Sequence, residues 1–175
     1  MTGDRTEAGG GPAKIGGPVA LPSETAAFIQ SGVSILIAAC GSHGAPLPGF
    51  AHACVVDPAR AGEVRLLVGR RRNGALLAAC AAGSALAATF ANLAHRSLQL
   101  KTSRAQVRPP EPDDFVALAW QSARYRAWLT RLGYGDEYCA FFAGHDAEDV
   151  VAIAFAPEQA FVQTPGPGAG EPLRP

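Results

Sequence analysis

Six short apolar runs, each closed by turn-forming residues, constrain this chain more than any other feature. "VSILIAAC" at 33–40 ends in "GSHGAP". "LPGFAHACVV" ends in "DPARAGE", and "EVRLLVG" follows at once. "SALAATFA", "HRSLQLKTSRAQV" and "DVVAIAFAPEQAFVQ" complete the set. Runs this short, linked by tight loops, predict antiparallel strands. The fifth run alternates: Leu98 and Leu100 fall on one face, with Ser97, Gln99 and Lys101 on the other. That is the period of a half-buried strand. Six such strands exceed what one small flat sheet needs, and a closed barrel removes their edges. The expected fold is mainly β with added helices, a six-stranded antiparallel barrel.

Helical signals fill the gaps. "LPSETAAFIQSG" predicts a short first helix with Ser23 as N-cap and Gly32 as its stop. "NGALLAAC" predicts a second, ending near Gly83. Pro112, Asp113 and Asp114 suit the start of a long amphipathic helix, with Leu118, Trp128, Leu129 and Leu132 near helical spacing and Gly133 stopping it. "DEYCAFFAG" predicts one more short helix. The expected organisation is a disordered segment at 1–20, one domain at 21–165 and a Pro/Gly-rich tail at 166–175.

Fifteen basic and fifteen acidic residues balance to zero formal charge, which argues against a nucleic-acid binder or a polybasic membrane anchor. The uncharged stretch 75–94 is mostly alanine, broken by Gly83, Ser84 and Asn92. That is a poor membrane span. No apolar leader opens the chain, so a cytoplasmic location is expected. Cys40, Cys54, Cys80 and Cys139 lie far apart and are expected as buried free thiols.

Charge is concentrated in one place. Arg70, Arg71 and Arg72 stand together between the third strand and the second helix. Backbone amides at a helix start and adjacent guanidinium groups make an anion cradle; the bland reading is a solvated turn in an Arg-rich chain. The polar strand face of Ser97, Gln99 and Lys101 lines a groove or simply meets water. His43, His52, His95 and His145 show no metal-ligand spacing, and no metal site is expected. His52 and Cys54 alternate onto one strand face and read as a buried structural pair. Asp113, Asp114, Asp146, Glu148 and Asp149 read as caps and loop charges.

The order of "VSILIAAC-GSHGAP", "EVRLLVGRRRNGALLAAC" and "SALAATFANLAHRSLQLKTSRAQV" resembles the pyridoxamine 5'-phosphate oxidase-like family of FMN-binding split barrels, over residues 25–170. The resemblance implies a six-stranded antiparallel split barrel with added helices, forming a homodimer with FMN between subunits. It places Arg70, Arg71 and Arg72 on the FMN phosphate, and Ser97, Gln99 and Lys101 beside the phosphate or flavin ring. It implies an FMN-dependent oxidoreductase or flavin reductase acting on a small molecule of unassigned identity. Two departures stand out. The second strand, "PGFAHACVVD", has neither Arg nor Lys, and the oxidase's C-terminal Arg-rich motif is replaced by the Pro/Gly tail. The second departure argues against pyridoxamine phosphate oxidation, and the first favours an alternative: a non-catalytic split-barrel module that binds heme, through His52 or His145, or a deazaflavin.

Overall fold

A computed structural model describes residues 17–60 and 62–173. The expected disordered segment lies outside the described residues as far as position 16. Its last residues are tied down: the Val19 amide donates to the Pro157 carbonyl at 2.6 Å, and Val19 and Leu21 pack on the core.

Among the described residues the chain builds two antiparallel sheets that form an open split-barrel arrangement, with four helices around them. One sheet holds β2 (Pro46–Ala51), β1 (Ser34–Cys40), β5 (Leu86–Ala91), β6 (Ser97–Thr102) and β9 (Gln159–Val162), in that order. The other holds β3 (Ala53–Asp57), β4 (Glu63–Gly69), β8 (Val150–Phe155) and β7 (Gln106–Arg108). The helices are α1 (Ser23–Ile29), α2 (Gly74–Ala81), α3 (Pro112–Arg131) and α4 (Asp136–Ala143).

The six expected runs appear as nine strands because three of them break and change sheets. The second run breaks at His52, the fifth after Thr102 and the last at Ala156–Glu158. A small barrel bends its strands sharply, and a corner at which a strand leaves one sheet for the other relieves that bend. Pro157 suits such a corner because it has no amide to donate to a ladder.

Period-two alternation places the core. Ile35, Phe90 and Leu98 lie side by side across β1, β5 and β6. Ile37, Ala88 and Leu100 form the next row. All six are buried and face Leu66, Val68 and Ile153 of the second sheet in one cluster. Ser97, Gln99 and Lys101 fall on the outer face, as their alternation requires.

The helix ends differ in detail from expectation. Pro22, not Ser23, holds the N-cap position of α1, and its carbonyl accepts the Ala26 amide at 2.9 Å. Glu111 and Asp114 form a reciprocal capping box at the start of α3. Leu132, expected on the apolar stripe, is exposed. The buried face of α3 carries Asp114, Gln121 and Ser122 beside Leu118 and Leu129, because α3 must satisfy polar groups as well as cover them. The side chain of Gln121 accepts the Cys54 amide at 3.0 Å and donates to its carbonyl at 2.7 Å. It therefore stands in for a missing neighbour at the edge strand β3. Gln30 does the same for the Val56 amide. Arg65 on β4 is 4% exposed and reaches Asp114, which is fully buried, at 2.9 Å.

The Pro/Gly tail runs back along β9: the Gly170 amide donates to Val162 and the Leu173 amide to Ala160. Cys54, Cys80 and Cys139 are buried free thiols, whereas Cys40 is exposed at the end of β1.

Replacing Asp114 by Ala removes the buried carboxylate from Arg65, whose guanidinium keeps Asp57 at 3.2 Å, and opens the α3 cap. A loss of about 2 kcal/mol of unfolding free energy is expected, read from urea denaturation. Glu24→Ala, which removes an exposed partner of Arg96, is expected to change stability by less than about 1 kcal/mol.

Candidate functional site

The site begins where β4 ends. Asn73, the N-cap residue of α2, is buried. Its amide group donates to the Gly69 carbonyl at 2.8 Å, and its carbonyl accepts the Phe50 amide at 3.3 Å. One carboxamide thus locks the turn after β4 against β2. Gly49 is the residue that allows this approach: a Cβ there would stand 2.3 Å from Asn73 Oδ1.

The locked turn splits the arginine run three ways. The Arg70 amide donates to the Asp149 carbonyl at 2.8 Å, while its guanidinium has no ion pair among the described residues. Arg71 is committed to two carboxylates, Asp146 at 2.8 Å and Asp149 at 3.2 Å. Its amide also donates to the Asp149 carboxylate. Arg72 turns to α4, donates to the Phe141 carbonyl and lies 4.1 Å over the Phe141 ring. The mutual repulsion expected of three adjacent cations is relieved by the loop that follows α4. Asp146 also caps the single helical turn at 147–149 by accepting the Glu148 amide.

His52, at the break between β2 and β3, faces the same region. The residue is 8% exposed, and its Nδ1 is buried without a hydrogen-bond partner. Phe50 stands edge-on to its ring at 5.8 Å, and the His145 ring lies at 6.1 Å. Burial first, then His145 and Arg72, push its pKa down to about 4, against the Phe142 backbone and Asp149, which oppose the shift. The imidazole is therefore neutral at physiological pH. Cys54, expected to pair with it, instead donates its thiol to the Ile29 carbonyl.

Two cavities meet here. One, of about 270 Å³, is walled by Pro48, Phe50, Phe141 and Phe142. The other, of about 360 Å³, is walled by Gly69, His145, Asp146 and Asp149. His52 and Arg72 line both.

The other expected residues lie elsewhere. Gln99 donates to Thr89 Oγ1 at 3.1 Å, and the Lys101 ammonium sits 5.0 Å over the Phe161 ring. The Ser97 amide donates to Thr164. Lys101 lines a third depression of about 410 Å³, with Ala38, Cys40, Thr102 and Glu158. That depression shares no lining residue with the cavities at Arg72. Within one chain, the arginine run and the β6 face are separate surfaces. The signal for the His52–His145 pair was thin: one imidazole in an apolar strand run, and another far away in the sequence. Among the described residues no group of three or more His, Cys, Asp or Glu is placed to hold a metal ion. No helix there is long and apolar enough to cross a membrane.

By sequence, no known family matches the chain, and no curated protein does. Solved structures do resemble it. HupZ of Group A Streptococcus is 12% identical, with a TM-score of 0.51, over 86% of this chain and 99% of its own. A pyridoxamine 5'-phosphate oxidase-related, FMN-binding protein from Nostoc punctiforme is 10% identical, with a TM-score of 0.47, over 87% and 94%. General Stress Protein 26 from Bacillus anthracis is 9% identical, with a TM-score of 0.46, over 85% and 93%. The likeness to HupZ is one of fold: two antiparallel sheets in an open split-barrel arrangement.

The lowered His52 pKa sets a pH dependence. Unfolding restores the ordinary imidazole, so the unfolded chain takes up a proton between pH 6.5 and about 4 while the folded one does not. The His52 contribution is fully present above pH 6.5 and is lost as pH falls toward 4. The loss is about 3 kcal/mol. His52→Gln is expected to remove this part of the slope in denaturation curves taken across that range.

Proposed function

We propose that the protein is a non-catalytic split-barrel module that binds heme between α4 and the β2–β3 break. The observation that carries this reading is the pairing of two imidazoles, His52 and His145, 6.1 Å apart across two adjoining cavities, one of them aromatic-walled and both lined by the Arg72 guanidinium. His145 is exposed on the cavity wall and is the candidate iron ligand. His52 offers a neutral ring, the form of imidazole that suits a metal-bearing ligand. Phe50 and Phe142 supply flat apolar contact, and Arg72 is the group to meet a propionate. Bound heme would supply a metal-centred chromophore. Asp146 and Asp149 are engaged by Arg71, which also makes the cavity at Arg71 poor in free positive charge for a phosphate dianion.

Hemin titration tests this. The wild-type protein is expected to give a Soret band shifted from that of free hemin, and His145→Ala to weaken binding about tenfold or more, as loss of an iron ligand does. No Soret shift, together with FMN or a deazaflavin retained through desalting, would replace heme with that cofactor.

FMN remains the second reading, and one observation favours it. The exposed Arg70 guanidinium, at the head of α2, has no ion pair among the described residues and is free for a phosphate. Ser97, Gln99 and Lys101 would then serve the flavin from the other surface, with Arg71 and Arg72 beside Arg70. On this reading the double variant Arg71→Ala, Arg72→Ala loses FMN while keeping its fold.

We propose that the chain pairs with a second copy through one exposed strand face. Leu36, on an interior strand, is 58% exposed. Its cross-strand neighbours are Phe50 and Thr89, and Ala38 and Ala87 lie one row along the same face. An interior strand with an exposed leucine, flanked by Phe50 and by small residues, suits packing against a second flat face. Sedimentation is expected to give a dimer for the wild type and a monomer for Leu36→Lys.

A further inference from the structure

Arg72 is the one cation that lines both cavities, and it does so beside a buried imidazole. Its guanidinium is held on the outside of the molecule by two contacts to a single residue. It donates to the Phe141 carbonyl and lies 4.1 Å over the Phe141 ring. Phe141 is itself exposed, near the C-terminal end of α4. Nothing else fastens Arg72: no carboxylate is paired with it among the described residues, in contrast to Arg71 beside it. A cation–π contact and one hydrogen bond, both at the surface, hold a side chain only loosely.

The buried partner is unfinished. His52 is nine-tenths buried, and its Nδ1 has no hydrogen-bond partner. A buried polar atom without a partner is an uncommon and unfavourable state. Arg72 lines the same two cavities as this ring.

We propose that Arg72 is a gate: seated on Phe141 it divides one cavity into two and shields His52, and an anionic planar ligand opens it by drawing the guanidinium onto its own carboxylate. With the gate open, the spaces of about 270 and 360 Å³ become continuous. The ligand then exchanges one guanidinium contact for another. The site thereby selects molecules that combine a flat apolar body with an acidic edge. A neutral planar molecule has nothing to offer Arg72 and meets the closed form. The ligand half of this inference rests on the heme reading above; the gating of His52 does not.

Diethyl pyrocarbonate, a small acylating probe of imidazole, separates the two. Modification is followed by peptide mapping on the full chain. His145, exposed in the closed form, is the internal standard and is expected to react equally in wild type and variants. His52 is expected to react slowly in the wild type and about tenfold faster in Arg72→Ala, the effect of removing one cation–π contact and one charge-assisted hydrogen bond. Phe141→Ala, which removes the ring under Arg72 and leaves the arginine in place, is expected to speed His52 in the same direction, so the test survives if one variant misfolds. Equal His52 rates in wild type and both variants, or a His52 that reacts as fast as His145 in the wild type, would overturn the gate. Hemin association measured by stopped flow then tests the ligand half: faster entry and faster release are expected in Arg72→Ala. A gated His52 in a protein that holds no hemin retires the heme reading and leaves the gate standing.

Discussion

The hydrogen bonds of the Asn73 carboxamide are the interaction on which the rest of the site depends. They join the end of β4, the start of α2 and the middle of β2 with one buried side chain. Because that turn is fixed, Arg71 meets Asp146 and Asp149, and Arg72 meets α4. Because β2 is held there, the break at His52 comes under α4 and not into solvent. A neutral amide suits this role. It both donates and accepts, so it satisfies two backbone groups from different strands without burying a charge.

The same economy recurs on the opposite flank. Gln121 satisfies both backbone groups of Cys54 at the edge strand β3. Arg65 and Asp114 set a buried ion pair between β4 and α3. Helix α3 therefore docks through polar groups of defined geometry as well as through Leu118 and Leu129. Such pairs are strongly unfavourable when half-made, which fixes the angle at which a helix can sit. Helix α4 lacks an anchor of this kind. It packs on α3 through the buried cluster of Leu129, Cys139 and Ala143 and through aromatic contacts around Phe142, and its Phe141 carries Arg72 over the cavities.

The strand runs were legible because period two is a local property. Ile35, Ile37, Leu98 and Leu100 point inward in the structure as their spacing requires, and Gln99 and Lys101 point outward. The helices were legible from Pro, Gly and acidic residues at their ends. The corners were not. Nothing in "FAHAC" marks His52 as the point where a strand leaves one sheet for the other, because the switch follows from closing the barrel and not from any residue preference. Pro157 interrupts the last apolar run, and the structure makes that interruption a change of sheet.

The site divides the same way. Residue order alone established a positively charged turn ahead of a helix, a polar strand face and a set of short antiparallel strands; these are contiguous patterns, and local sterics and periodicity decide them. Tertiary structure alone decided what those charges face. It matched Arg71 to the carboxylates of a loop far along the chain, seated Arg72 on Phe141, left the Arg70 guanidinium without an ion pair among the described residues, and put the β6 face on a separate surface. It also brought His52 and His145 together. Partners of this kind are chosen by which segments the closed barrel makes neighbours, and no spacing along the chain encodes that distance.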